Sequence, residues 1–164
     1  MILQVYDKFL PIDQCNSWID FYKDNKDQSY STSTDPAFNR KGIVITDTEE
    51  FKFLQNKLNQ VGIYANNSMI YYAEIVRWPV GSKQSLHYDT NGPLNVAQDY
   101  TALTSILYLN DNFIGGETYF VDGMVFTPTR GRLILYDGRY FEHGVHDVIQ
   151  NDRYVVSAWH TKYK

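Results

Sequence analysis

The sequence predicts a mainly β fold of the β-sandwich or jelly-roll type, with two helices packed on one sheet from outside. Three observations carry that expectation. After about residue 67, eight short apolar or β-branched runs recur at regular spacing, divided by turns rich in Gly, Asn and Pro. Helical periodicity is confined to the residues before that point. The chain also carries 14 tyrosines and 9 phenylalanines, side chains suited to a pleated, half-buried surface.

Ile2 to Leu10 reads as a short strand or extended lead-in. From Ile12 to Lys23 the apolar positions Cys15, Trp18, Ile19 and Tyr22 follow one face of a helix. Pro11 suits its first turn, where a missing N–H is no loss, and Asp13 favours the positive end of the helix dipole. Asp24 to Arg40 is polar and turn-rich and reads as a mobile loop. Gly42 to Thr46 is a short strand. Thr46-Asp47-Thr48-Glu49 has the form of a capping box. Phe51, Leu54, Leu58 and Val61 then carry a second helix to about residue 64, closed by Asn66 and Asn67. The eight strands expected after it are Met69–Val76, Ser85–Asp89, Thr101–Leu109, Glu117–Val121, Met124–Thr127, Leu133–Tyr136, Gly144–Val148 and Tyr154–Trp159. Thr90 to Gln98 is a loop, and Asp122-Gly123 turns a hairpin. One domain over residues 1–164 is expected, with helical support over about 1–66 and a jelly-roll core over about 67–164.

Composition excludes several classes. The net charge is −4 with no long basic run, which argues against nucleic-acid binding through phosphate neutralisation. No apolar run approaches the length of a membrane span. The opening residues lack the charged and apolar regions of a secretory signal. The single cysteine, Cys15, cannot form an internal disulfide and fits a reducing compartment, so a cytoplasmic location is expected. A monomer or weak dimer is expected.

The chemistry centres on His87-Tyr88-Asp89. On an extended strand, residues two apart leave by the same face, so an imidazole and a carboxylate enter one volume. Two histidines and one carboxylate form the facial triad of non-haem Fe(II) sites, which leaves other coordination positions open. The second histidine could be His143, His146 or His160. His160, near a charged C-terminus, is expected to face solvent. His143 and His146, three apart, cannot share one strand face. Arg153 favours His143: a hairpin turn through Ile149 to Asp152 would bring both to one cavity. A guanidinium grips a carboxylate through two parallel hydrogen bonds, so a metal beside it suits a ligand with two acidic ends.

From Tyr72 to Trp159 the chain resembles the 2-oxoglutarate and Fe(II)-dependent dioxygenases, in particular the prolyl 4-hydroxylase-like branch. The resemblance rests on several pieces in the right order. His87-Tyr88-Asp89 matches the HxD motif. Leu107-Tyr108-Leu109-Asn110 matches a YLN strand, and Gly115-Gly116-Glu117-Thr118-Tyr119-Phe120 matches a GGETxF hairpin. Thr127-Pro128 through Gly131 to Leu133-Ile134-Leu135 matches a strand pattern ending in Phe, with Tyr136 as its aromatic. His143-Gly144-Val145, Val148 and Arg153-Tyr154 complete the series. Phe9-Leu10 with Asp13-Gln14-Cys15 is similar to the family's opening helix, more weakly.

The resemblance implies a double-stranded β-helix. It implies that His87, Asp89 and His143 hold Fe(II), and that His146 lies outside this set. It further implies that Arg153 binds the distal carboxylate of 2-oxoglutarate, helped by the Tyr108 hydroxyl. Dioxygen is the second co-substrate, and ascorbate is a further expected reductant. The reaction implied is oxidative decarboxylation to succinate and CO2, coupled to hydroxylation of a substrate C–H bond. Two departures stand out: Trp78 and Gln84 occupy positions where many relatives carry tyrosines. Trp78 is counted with the co-substrate pocket, but an indole donates one hydrogen bond and accepts none.

A prolyl residue in a peptide or protein is the leading substrate expectation, and a free amino acid or other small metabolite the alternative. Arg40, within a loop that could fold over the substrate, and Arg139 and Tyr140, just before His143, are the candidate substrate residues. The short length resembles compact bacterial or phage members. The competing class is a non-catalytic jelly-roll module, but structural zinc favours four protein ligands, commonly with cysteine, and only Cys15 exists.

Overall fold

A computed structural model describes residues 3–31, 35–62, 68–89 and 101–162. The predicted loop over Thr90 to Gln98 lies outside these residues, as do Asn66 and Asn67. Two α-helices and twelve strands occur among the described residues, with the helices in the first half of the chain.

Strand β1 (Leu3–Tyr6) leads into α1 (Ile12–Asp24), which buries Cys15, Trp18, Ile19 and Tyr22 along one face. Strand β2 (Lys41–Val44) follows, then α2 (Glu49–Gln60), which buries Phe51, Leu54 and Leu58. The cap of α2 is Thr48, whose side chain accepts from the Phe51 N–H at 3.4 Å, and not the expected Thr46. Thr46 is drawn away because its hydroxyl accepts from the Ala73 N–H on the neighbouring strand, at 3.4 Å. The helix ends at Gln60, earlier than its periodicity suggests, and Val61 is 40% exposed.

The remaining strands are β3 (Ser68–Trp78), β4 (Gln84–His87), β5 (Thr101–Tyr108), β6 (Ile114–Gly115), β7 (Thr118–Phe120), β8 (Val125–Phe126), β9 (Leu133–Tyr136), β10 (His143–Val145), β11 (Val148–Gln150) and β12 (Arg153–Lys162). They form a six-stranded sheet in the order β1-β9-β5-β12-β3-β2, a four-stranded sheet β4-β10-β7-β8 and a two-stranded ribbon β11-β6. Every pairing is antiparallel. The single strand expected over Gly144–Val148 is two, because the chain leaves β4 and β7 and pairs next with β6. Strand β6 is hidden in a Gly-rich turn and carries no periodicity of its own.

The period-2 alternation of the large sheet assigns its two faces different work. Leu103, Leu107, Leu133, Leu135, Ala73, Ile75, Val156 and Ala158 form one core with the buried faces of both helices. The alternate residues face inward. Val76, Trp78, Tyr108 and Val155 pack with Val145 and Val148, while Ile134 and Tyr136 pack with Phe120 of the four-stranded sheet.

His160 is fully buried, contrary to the expected solvent exposure. It continues the alternation of Val156 and Ala158 on β12, which lies between β3 and β5 and runs on to Lys162. Its Nε2 meets the Ser105 hydroxyl at 2.9 Å. No helix is long and apolar enough to cross a membrane among the described residues.

Candidate active site

The inner face of the large sheet and the facing four-stranded sheet enclose a cavity of about 530 Å³. Antiparallel pairing of β4 with β10 sets His87 directly opposite His143, with ring centroids 4.3 Å apart. The Nε2 atoms of His87 and His143 lie 3.9 and 3.8 Å from Asp89 Oδ1. Ligand atoms of all three residues lie within 4.8 Å of one another. Each imidazole Nδ1 donates to a carbonyl, His87 to Ser85 and His143 to Phe141, both at 3.0 Å. A carbonyl only accepts, so each Nε2 carries a lone pair: that of His143 is left for the cavity, and that of His87 accepts from the Gln84 amide. Burial, opposed in part by the Asp89 charge, holds His143 below the ordinary imidazole range and keeps it neutral.

Asp89 is itself positioned. Its second oxygen accepts from the buried Thr104 hydroxyl, and its N–H donates to the Gly138 carbonyl at 3.0 Å. Gly138 approaches so closely that a Cβ there would sit 2.2 Å from Asp89 Oδ2 and 2.7 Å from Thr104 Oγ1. Neither Thr104 nor Gly138 was legible as a site residue. Thr104 lies two alternations before Tyr108 on the same strand face, which could have pointed to it; the contact between residues 89 and 138 leaves no mark in the sequence.

Arg153 lies opposite Trp78 in the β12–β3 ladder and is 1% exposed. Its guanidinium carbon stands 5.3 Å from the Trp78 ring centroid and 5.4 Å from that of Tyr108. Its Nη2 donates to Thr118 Oγ1 at 3.2 Å, and the Tyr108 hydroxyl donates to the same oxygen at 2.8 Å. No carboxylate lies within ion-pair distance of it among the described residues. Burial accordingly pulls the guanidinium below its ordinary value. Arg153 Nε and Trp78 Nε1 are buried without a hydrogen-bond partner among the described residues. A buried cation with unpaired donors on a cavity wall is a receptor for an anion. Thr118 was not singled out from the sequence, although it stands inside the Gly115–Phe120 motif.

Gln84 lines the same cavity, and its amide nitrogen lies 3.1 Å from His87 Nε2. Because that nitrogen is an acceptor, the amide donates. Arg40 also lines the cavity, ion-paired with buried Glu74, whose carboxylate further accepts from Tyr30 at 3.1 Å. Arg139 and Tyr140 are not among the lining residues. Arg139 forks onto Asp137 at 3.1 and 3.0 Å, and Tyr140 is 62% exposed. His146 stacks on Tyr119 with centroids 4.3 Å apart and pairs with Glu117 at 3.2 Å, away from the triad.

The donor set fits a divalent first-row metal: two imidazoles and one carboxylate, with one side open to the cavity. The unpaired donors beside it fit the far end of a diacid.

No family model matches the chain. Among curated proteins, prolyl 3-hydroxylase 3 of Homo sapiens is 35% identical over 72 residues, which span 40% of this chain and 10% of that protein. The chain thus corresponds to a small part of that relative. Solved structures match over nearly the whole chain. A prolyl hydroxylase from Trichoplax adhaerens, in complex with a hypoxia inducible factor oxygen degradation domain peptide fragment, superposes with a TM-score of 0.79 at 18% identity, covering 98% of this chain and 83% of that one. A Pseudomonas putida prolyl-4-hydroxylase gives 0.76 at 16% identity, covering 99% and 93%. The viral collagen prolyl hydroxylase of Paramecium Bursaria Chlorella virus-1, in its 2OG complex, gives 0.72 at 17% identity, covering 100% and 97%. The chain therefore has the jelly-roll fold of the 2OG-Fe(II) oxygenases. Prolyl hydroxylases are among the structures with that fold that it resembles.

Proposed function

We propose that the chain is an Fe(II)- and 2-oxoglutarate-dependent hydroxylase of a prolyl residue in a peptide or protein. The observation that carries this reading is the pairing, in one cavity, of the His87–Asp89–His143 cluster with an Arg153 guanidinium that has no carboxylate partner among the described residues. When bound, Fe(II) supplies the activation of dioxygen against 2-oxoglutarate, yielding succinate and CO2 and one oxygen atom for a substrate C–H bond. His87 and His143 would hold the metal through Nε2, His87 on release of the Gln84 amide, each kept in the required tautomer by its carbonyl partner. Asp89 would offer it one oxygen, while Thr104 donates to the other. Arg153, with Trp78 and the Tyr108–Thr118 pair, binds the distal carboxylate. Arg40, neutralised by Glu74, lines the part of the cavity left for substrate.

The likeness to a peptide-bound prolyl hydroxylase and to one in complex with 2OG supports this choice of substrate and co-substrate. Anaerobic addition of Fe(II) and 2-oxoglutarate tests the reading: a weak visible charge-transfer band is expected, and its absence from folded protein sinks it. Succinate release screened against proline-containing peptides and free amino acids tests the substrate. Stimulation by free amino acids alone would overturn the prolyl assignment.

A further inference from the structure

The cavity holds a third buried donor that the reading above does not use. The Tyr136 hydroxyl has no hydrogen-bond partner among the described residues, as is also true of Trp78 Nε1 and Arg153 Nε. Tyr136 is 0% exposed and lines the cavity. Its ring is fixed by aromatic packing, edge-on to His143 at 4.7 Å and 67° and to Phe120 at 5.2 Å and 88°. The oxygen adds nothing to that packing, and burying an unpaired hydroxyl is costly. Phenylalanine would fill the same space without the penalty. A hydroxyl kept at such a cost suggests an acceptor that arrives from outside.

Its position says where that acceptor lies. Tyr136 pairs in register with Thr104, the residue that holds Asp89. Its ring stands against His143 of the metal cluster, and Asp89 and Arg153 line the same cavity. The unpaired oxygen therefore belongs to the cavity that also holds the metal cluster and the guanidinium, where a bound diacid would lie.

We propose that the Tyr136 hydroxyl donates a hydrogen bond to the 2-oxoglutarate held between the metal cluster and Arg153. This rests on the function proposed above. The test uses the full chain loaded with Mn(II), which leaves the co-substrate unreacted, and measures 2-oxoglutarate binding by calorimetry. Tyr136→Phe is expected to weaken binding about tenfold or more, the usual loss when a bond to a charged acceptor is removed. The metal-free variant is expected to melt no lower than the parent, because no existing hydrogen bond is lost, and to bind Mn(II) as the parent does. Unchanged 2-oxoglutarate affinity overturns the proposal, as does a metal-free variant that melts lower, since the hydroxyl would then serve the fold. A parent protein that binds Mn(II) but no 2-oxoglutarate overturns the proposed function instead, and this inference falls with it.

Discussion

His87 and His143 face each other across the β4–β10 ladder, and each donates its Nδ1–H to the carbonyl two residues earlier in its own chain. A like bond to the backbone orients each ring, so both Nε2 atoms face Asp89, that of His87 also meeting the Gln84 amide. Removing either ring should therefore cost metal binding and little else. For His87→Ala, which changes a partly exposed residue, we expect loss of succinate formation and of Co(II) binding, with a melting temperature of the metal-free protein within a few degrees of the parent. A variant that still binds Co(II) with the parent's affinity and spectrum would remove His87 from the metal site.

Gly138 is expected to be as sensitive as a ligand although it bears no side chain. A methyl group there would meet the Asp89 carboxylate at 2.2 Å and the Thr104 hydroxyl at 2.7 Å. Both are buried, so the carboxylate must move. For Gly138→Ala we expect metal affinity to fall about 10- to 100-fold, as for other residues that orient a ligand. Overpacking adds about 1–3 kcal/mol of destabilisation. Titration with Mn(II) separates the two effects, and undiminished affinity would show that Asp89 can hold metal from another rotamer.

Arg153 separates co-substrate binding from folding. Its guanidinium is buried with no carboxylate beside it among the described residues, so the ligand-free protein bears the desolvation cost. Arg153→Met keeps the apolar stem between Trp78 and Tyr108 and removes the charge. We expect 2-oxoglutarate affinity to fall at least about 30-fold, equivalent to about 2 kcal/mol or more, with the melting temperature unchanged or raised. Calorimetry and thermal melts read the two quantities independently. Normal binding of 2-oxoglutarate by this variant would put the diacid elsewhere.

These cases show which parts of the candidate site the sequence could disclose. His87, Asp89, His143 and Arg153 announce themselves because chemistry restricts the residue types and strand alternation restricts the faces. Thr118 and Thr104 are ordinary β-branched residues in ordinary strands, and their roles come from what lies opposite them. Gly138 is legible only in three dimensions. Arg139 is a chemically reasonable substrate residue whose guanidinium is instead engaged by Asp137, two residues away. His160 misled because proximity to a charged terminus said nothing of the strand's central place in its sheet.

That same His160 gives the fold a dependence on acid. It is fully buried against Ser105, its Nδ1 has no partner among the described residues, and burial pulls its pKa from 6.5 down to about 3. Between those values the unfolded chain takes up a proton that the folded chain refuses. The stability difference is therefore fully present above about pH 6.5 and shrinks as the pH falls toward 3. The slope approaches about 1.4 kcal/mol per pH unit once the unfolded histidine is fully protonated. His160→Gln can still meet the Ser105 hydroxyl but cannot titrate. Urea midpoints at pH 7.5 and 5.0 should move farther apart for the parent than for this variant, by the equivalent of about 1–2 kcal/mol. Equal shifts in the two proteins would mean that His160 accepts its proton in the folded state, through water reaching the inside of the helix-covered core.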